Sequence, residues 1–379
     1  MIMIIINRKR TMSDCHKNPP QHALQHAPQC ARRFFAVLGF LAALATLTLA
    51  SLAFSPAQAG EAQQQVNIYS YRQPFLIEPI FARFSEQTGI EVKVIFAKKG
   101  LIERVAAEGA RSPADVILTT DIGKLKQAAQ LAQPVRSKIL TKYIPAQARG
   151  QNNKWFGLTW RARIAYVSKS RVPQPPKSYA ELADKKWRGR ICTRSGQHPY
   201  NNALFAALLA HWGEARFSTW LAGLKANLAA KPSGNDRAQV RRIYGGSCDI
   251  AIGNSYYMGK MQTNEKNPEQ KKWAASVRPI FLAMPGGGAH VNVSGMVMAR
   301  YAPHPKNARK LMEFLVSDEA QKLYASTNFE YPIRADIAVA PLVASWGRLV
   351  RDPLPMDKIA AHTVQASRIV DRVGFNTSP

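Results

Sequence analysis

Ser247-Cys248-Asp249-Ile250-Ala251-Ile252-Gly253-Asn254-Ser255-Tyr256-Tyr257 is the stretch from which the rest of the chain is read. Residues 249–253 form an apolar strand, and Asn254-Ser255 closes it with residues that favour turns and helix N-caps. Ligands of open α/β sheets bind beyond the carboxyl ends of strands, which is where Tyr256 and Tyr257 stand. Adjacent side chains of a strand point to opposite faces, so both phenols reach one site only from a loop or a helix start.

The same alternation of strand and helix runs outward in both directions. Towards the N-terminus, residues 66–69, 91–96 and 115–118 read as strands. Amphipathic helices lie between them over 76–88 and 101–110, with Gly89 as a helix stop. Residues 164–167 are a further strand, placed where a first lobe crosses into a second. After a proline-rich link at 173–177, strands over 189–193 and 249–253 belong to the second α/β region. Gly286-Gly287-Gly288 is a loop, 290–299 a strand, and helices follow at 306–315, at 319–326 and at the C-terminus. The pattern predicts an α/β fold of two lobes built on open sheets, with a ligand cleft between them.

The bulk composition fits a globular chain: 379 residues, 46% of them hydrophobic. Lys and Arg number 52 against 24 Asp and Glu, a net charge of +28. These charges are spread through periodic segments, and no helix-turn-helix, RNP-like or zinc-finger pattern accompanies them, so no nucleic-acid partner is expected. The excess suits anions in general, whether an acidic protein surface or an anion bound with a ligand.

Arg32-Arg33 precedes an apolar run over 34–50, and Ala57-Gln58-Ala59 has the small-x-small form of a cleavage site. Residues 1–59 therefore read as an extension plus a cleavable signal peptide, with the paired arginines compatible with twin-arginine export. Their removal takes away six basic residues and one acidic one, so the positive excess belongs to the folded protein. Cys15 and Cys30 leave with that segment. Cys192 and Cys248 remain, each beside an apolar run. In an oxidising compartment a disulfide between them is expected, two buried thiols being the alternative.

A phenolate oxygen is a hard anionic donor and matches a small, highly charged, hard cation such as Fe3+. The phenol must lose its proton when the metal binds. Taken alone, a Tyr-Tyr pair is more often packing than ligation. Enzymatic readings find little support. Tyr256 and Lys260 have a dehydrogenase-like spacing, but no glycine-rich dinucleotide fingerprint follows the first strand. Gly286-Gly287-Gly288 lacks the Lys-Ser/Thr of a phosphate loop, and no Gly-x-Ser-x-Gly elbow is present.

Wider context sharpens the reading. Tyr69-Ser70-Tyr71-Arg72, Trp160-Arg161-Ala162-Arg163, Gly189-Arg190-Ile191-Cys192-Thr193-Arg194-Ser195, Gly234-Asn235-Asp236, the stretch 247–257 and His290-Val291-Asn292-Val293-Ser294-Gly295 occur in that order. Together they resemble the ferric-iron-binding periplasmic proteins of ABC transporters, in particular the FutA-like branch, over residues 66–335. The resemblance implies a type II-like periplasmic binding fold. One lobe would span 60–165 and 286–335, the other 166–285, with C-terminal helices of 336–379 on the second lobe. It also implies Fe3+ as the transported ligand, held by Tyr256 and Tyr257 with Tyr166 as a third phenolate, and a synergistic anion such as carbonate. Arg72, Gln73, Arg163, Ser195, Asn235 and Asn254 fall around that anion. Arg72-Gln73-Pro74 departs from the His that related proteins often carry there, leaving Tyr71 as a substitute candidate. His198 and His290 are more readily read as packed histidines. The expected protein is a monomeric periplasmic binding component, not an enzyme, that serves an inner-membrane permease. Ferrous iron, a polyamine, thiamine or an inorganic anion on the same scaffold, and an acidic polymer at the basic surface, are the rival ligands.

Overall fold

The computed structural model describes residues 2–5 and 64–379. Residues 1 and 6–63, with Cys15, Cys30, Arg32-Arg33 and Ala57-Gln58-Ala59, on which the signal-peptide expectation rests, lie outside the described residues. In chain order the strands are β1 (Ile2–Ile5), β2 (Gln65–Ser70), β3 (Glu91–Phe96), β4 (Val116–Thr119), β5 (Phe156–Ser168), β6 (Ile191–Cys192), β7 (Ile250–Asn254), β8 (Val277–Ile280), β9 (Val291–Met298) and β10 (Tyr331–Pro332). The helices are α1 (Pro74–Thr88), α2 (Leu101–Glu108), α3 (Ile122–Gln130), α4 (Lys138–Tyr143), α5 (Pro199–Ala226), α6 (Asp236–Tyr244), α7 (Tyr256–Gln262), α8 (Glu269–Ala275), α9 (Pro305–Phe314), α10 (Asp318–Asn328), α11 (Pro341–Ala344) and α12 (Met356–Arg372).

Local chemistry sets the element ends. Pro74 starts α1, where its fixed φ suits a first helical turn and its missing N–H costs nothing. Gly89 ends the helix at φ 70°, and its N–H reaches the Ser85 carbonyl.

β5 organises the whole fold. Its first half, to Ala162, pairs with β9 on one side and with β10 on the other. From Arg163 onward it pairs with β7 and β8 instead. Parallel β3-β2-β4 joins the first group through β9, and β6 joins the second alongside β7. One strand thus belongs to two lobes, and the sheet changes partners at Ala162–Arg163. All thirteen residues of β5 are buried, which is why it runs well beyond the four residues expected from hydrophobicity. Its two arginines, Arg161 and Arg163, are buried as well.

The disulfide forms. Cys192 and Cys248 sit with Cα atoms 5.9 Å apart, within the range such a bond requires, and join the end of β6 to the entry of β7. The C-terminal helix α12 packs against α5 and also against α3.

Candidate functional site

β7 ends at Asn254, and α7 begins at Tyr256. The expected caps do not act as caps. The Asn254 amide oxygen accepts from Arg163 at 2.9 Å, and Ser255 makes no side-chain cap. The turn is held instead by the Ser255 N–H, which donates to the Ala162 carbonyl at 2.9 Å. The first helical turn brings Tyr256 and Tyr257 to the same side, with ring centroids 4.3 Å apart.

A third phenol meets them, and it is Tyr200. The Tyr256 hydroxyl lies 3.5 Å from the Tyr200 hydroxyl. Tyr200 occupies the first turn of α5, which Pro199 starts and His198 caps, accepting the Tyr200 N–H on Nδ1 at 3.2 Å. All three tyrosines line a cavity of about 660 Å³, with Arg72, Arg161, Arg237 and Lys260 among its walls. Burial, with Tyr200 and Tyr257 alongside, pushes the Tyr256 phenol well above its ordinary value. Burial first and Tyr200 second push Tyr257 up to about 12. Burial thus favours the neutral phenol at Tyr256 and Tyr257. Among the described residues no three His, Cys, Asp or Glu side chains gather as metal ligands; the two carboxylates that line the cavity, Glu330 and Glu265, pair with Arg72 and Lys271.

Tyr166 lies elsewhere. It is fully buried in the second half of β5, and its hydroxyl donates to the Asn254 carbonyl at 2.5 Å. Its ring fills the space over Gly253, where an added Cβ would stand 2.3 Å from it. It supports the turn that carries Tyr256 and does not line the cavity. Core packing, the alternative to ligation at this position, is what the structure shows.

The arginines divide similarly. Arg163 is buried and fully engaged: Nη1 donates to Asp236 and to Asn254, both at 2.9 Å, and Nη2 donates to Asn201 at 2.6 Å. Arg194 approaches the other Asp236 oxygen at 3.0 Å. Burial opposes ionisation of Asp236, but the two guanidiniums outweigh it and hold the carboxyl below its usual range. Arg163 therefore braces the site from behind and has no donor spare for an anion. Arg161, two residues earlier, is the strand arginine that lines the cavity, 5.7 Å from the Tyr200 ring centroid, with Nη2 donating to the Thr120 carbonyl. Arg72 also lines the cavity and pairs with buried Glu330 at 2.8 Å, while its Nε has no partner. Gln73 is exposed at the cavity wall.

The small polar residues have local duties. The Ser195 hydroxyl donates to the Asn376 amide oxygen at 3.1 Å, which also accepts the Gly196 N–H at 2.8 Å. Asn376 of the C-terminal tail thus takes up the Ser195 hydroxyl, which does not line the tyrosine cavity. Asn235 caps α6 by accepting the Ala238 N–H and is exposed. Tyr71 lines the cavity, but its hydroxyl accepts the Ile102 N–H at 2.8 Å. His290 is buried, and burial holds it down at about 3.

Tyr200, Arg161, Arg237 and Lys260 were missed in the sequence. Tyr200 had a signal: His198-Pro199 marks a helix start just beyond a strand, the same setting as Tyr256. Lys260 lies one helical turn beyond Tyr256 on α7 and Arg161 shares a face of β5 with Arg163, whereas Arg237 reaches the cavity from α6, a separate element with no such signal.

Residues 111–350 match the family described as bacterial extracellular solute-binding protein. The chain is 38% identical to the iron uptake protein A1 of Synechocystis, across 91% of this chain and 98% of the relative. The apo ferric ion-binding protein A of Pasteurella haemolytica superposes with a TM-score of 0.78 at 47% identity, covering 83% of this chain and 98% of that one. The Trichodesmium protein solved in complex with iron and citrate ligands gives 0.78 at 37% identity, covering 82% and 99%.

Proposed function

Because the chain belongs to the bacterial extracellular solute-binding protein family, we propose that it captures ferric iron in the periplasm and passes it to an inner-membrane ABC permease. Its relatives are binding proteins, not enzymes, and the dehydrogenase-like spacing of Tyr256 and Lys260 has another use here. Lys260 donates to the Thr327 carbonyl at 2.7 Å.

The observation that carries the reading is the meeting of three tyrosines from two helix starts in one arginine-walled cavity. Tyr200, Tyr256 and Tyr257 supply the phenolates. The guanidinium of Arg161 and the exposed amide of Gln73 suit a small anion such as carbonate, which would complete the coordination shell and neutralise the wall. Arg72 is nearby but already committed in part to Glu330. The lobes are 60–165 with 286–335, and 166–285, moving about the point where β5 changes partners. Closure buries the ion and presents both lobes to the permease. Release follows reduction or protonation, since ferrous iron is the softer, less charged ion and phenol is a poor ligand.

The test is a visible-absorption titration of the mature protein with ferric citrate. A tyrosinate-to-iron band saturating at one iron per chain is expected, and it should vanish in the Tyr256→Phe/Tyr257→Phe double variant. No band in the wild type would overturn the ferric phenolate site.

A further inference from the structure

Adjacent residues of β5 face opposite ways, so the strand that offers Arg161 to the iron cavity offers Trp160 to its other side. There a second cavity of about 450 Å³ opens, bounded by Trp160, Tyr331 of β10 and the segment 348–356. This volume is in the range of small-molecule sites. Its walls are largely apolar, with Val291, Ile337 and Leu354 among them.

The polar groups at this wall are mostly donors without a use. Trp160 and Tyr331 are 1% and 7% exposed, yet neither the indole N–H nor the phenol O–H has a protein partner. Arg351 lies 4.7 Å over the Trp160 ring. A guanidinium stacked on an indole keeps its in-plane N–H groups free to fork onto a carboxylate. Arg351 is half-buried, and burial lowers its affinity for the proton. Exposed Arg348 adds a second positive charge. The lining carboxylate Asp352 meets His211 of α5 through Oδ2 at 2.9 Å and leaves its buried Oδ1 without a protein partner, an acceptor that the two arginines outnumber. Arg334 is likewise spoken for, by Asp318 and Asp336.

We propose that this cavity is a binding site for a small organic acid, whose carboxylate is held by Arg351 and whose apolar body packs between Trp160 and the 348–356 segment. The buried N–H of Trp160 and O–H of Tyr331 supply further donors at the same wall. Arg351 adjoins Asp352, which is tied to α5, the helix that carries Tyr200. The organic acid therefore sits across β5 from the iron cavity and touches a segment joined to one of its helices.

Benzoate, benzyl alcohol and inorganic phosphate separate the components of the proposal. Binding is read from the indole N–H resonance of Trp160 in the full mature protein, assigned by its loss in Trp160→Phe. Benzoate should shift it saturably at roughly millimolar concentration or below. Benzyl alcohol and phosphate should not. Arg351→Met should weaken benzoate about tenfold or more, and Tyr331→Phe by a smaller factor. Neither residue lines the iron cavity, so an unchanged ferric titration in both variants shows that the fold is intact. No saturable shift with benzoate would overturn the site. An equal response to benzyl alcohol would overturn the carboxylate, an equal response to phosphate would overturn the apolar body, and insensitivity to Arg351→Met would overturn the anchor.

Discussion

The proposed ligation and the structural support divide at single hydroxyls, between Tyr200 in the cavity and Tyr166 beneath the turn. Tyr200→Phe takes away an oxygen beside Tyr256 and should weaken ferric binding by about tenfold or more, read from competition with citrate. Tyr166→Phe removes only the hydrogen bond to the Asn254 carbonyl. It should cost about 1 kcal/mol of stability in denaturant titration and leave the absorption band intact. Equal loss of iron in both variants would contradict this division. His290 gives a residue-level pH dependence. Burial, reinforced by the positive charge of Arg163 and by His211, holds the folded imidazole at about 3, against an unfolded value near 6.5. The unfolded chain therefore binds the extra proton between those values, and stability is lost as pH falls through that window. The loss approaches about 1.4 kcal/mol per pH unit for this one group. His290→Phe should flatten the acid limb of a stability–pH curve, and an unchanged slope would exclude His290 as its source.

Elements are fastened at two places. Asp236, at the first turn of α6, accepts from Arg163 of β5, from Arg194 after β6 and from the Asn254 N–H of β7. Asp236→Ala removes the ion-pair partner of buried Arg163 and partly buried Arg194 and should cost about 3–5 kcal/mol, far more than an exposed pair would. Chemical denaturation with the disulfide intact is the check. The Cys192–Cys248 bond closes a span of 56 residues between neighbouring parallel strands. By the chain-entropy account its reduction should lower stability by about 4 kcal/mol, with the midpoint falling while iron still binds below the transition.

Across the molecule, Lys260 joins α7 to the part of the chain that packs on α1. Its ammonium donates to the Thr327 carbonyl of α10 and lies 5.5 Å and 5.7 Å from the Phe75 and Phe329 ring centroids. It thus ties the helix bearing Tyr256 to elements of the other lobe. Lys260→Met keeps the stem and loses the donor, so iron release to a chelator should quicken several-fold while the band position stays the same. An unchanged release rate would show that closure does not depend on this tie.

How much was legible follows from how local each signal is. The alternation of apolar runs, the Pro74 and Gly89 punctuation and the Ser247–Tyr257 stretch were enough to place β2, β3, β4, β7 and β9, the two-lobed α/β class and the tyrosine pair, while β8, β10 and the first half of β5 went unread. Each depends on residues close in sequence. The assignment of Tyr166 and Arg163 needed more. Alternation puts Arg161 and Arg163 on one face of β5, and only the partners brought by α5, α6 and β7 decide that one is consumed and the other lines a cavity. Likewise Asn376 reaches Ser195 across 181 positions of chain. The sequence by itself determined the alternating α/β pattern and what chemistry the tyrosines can offer. Tertiary structure alone decided which hydroxyls and guanidiniums stay free, because a donor's availability depends on every group that folding brings within hydrogen-bond reach.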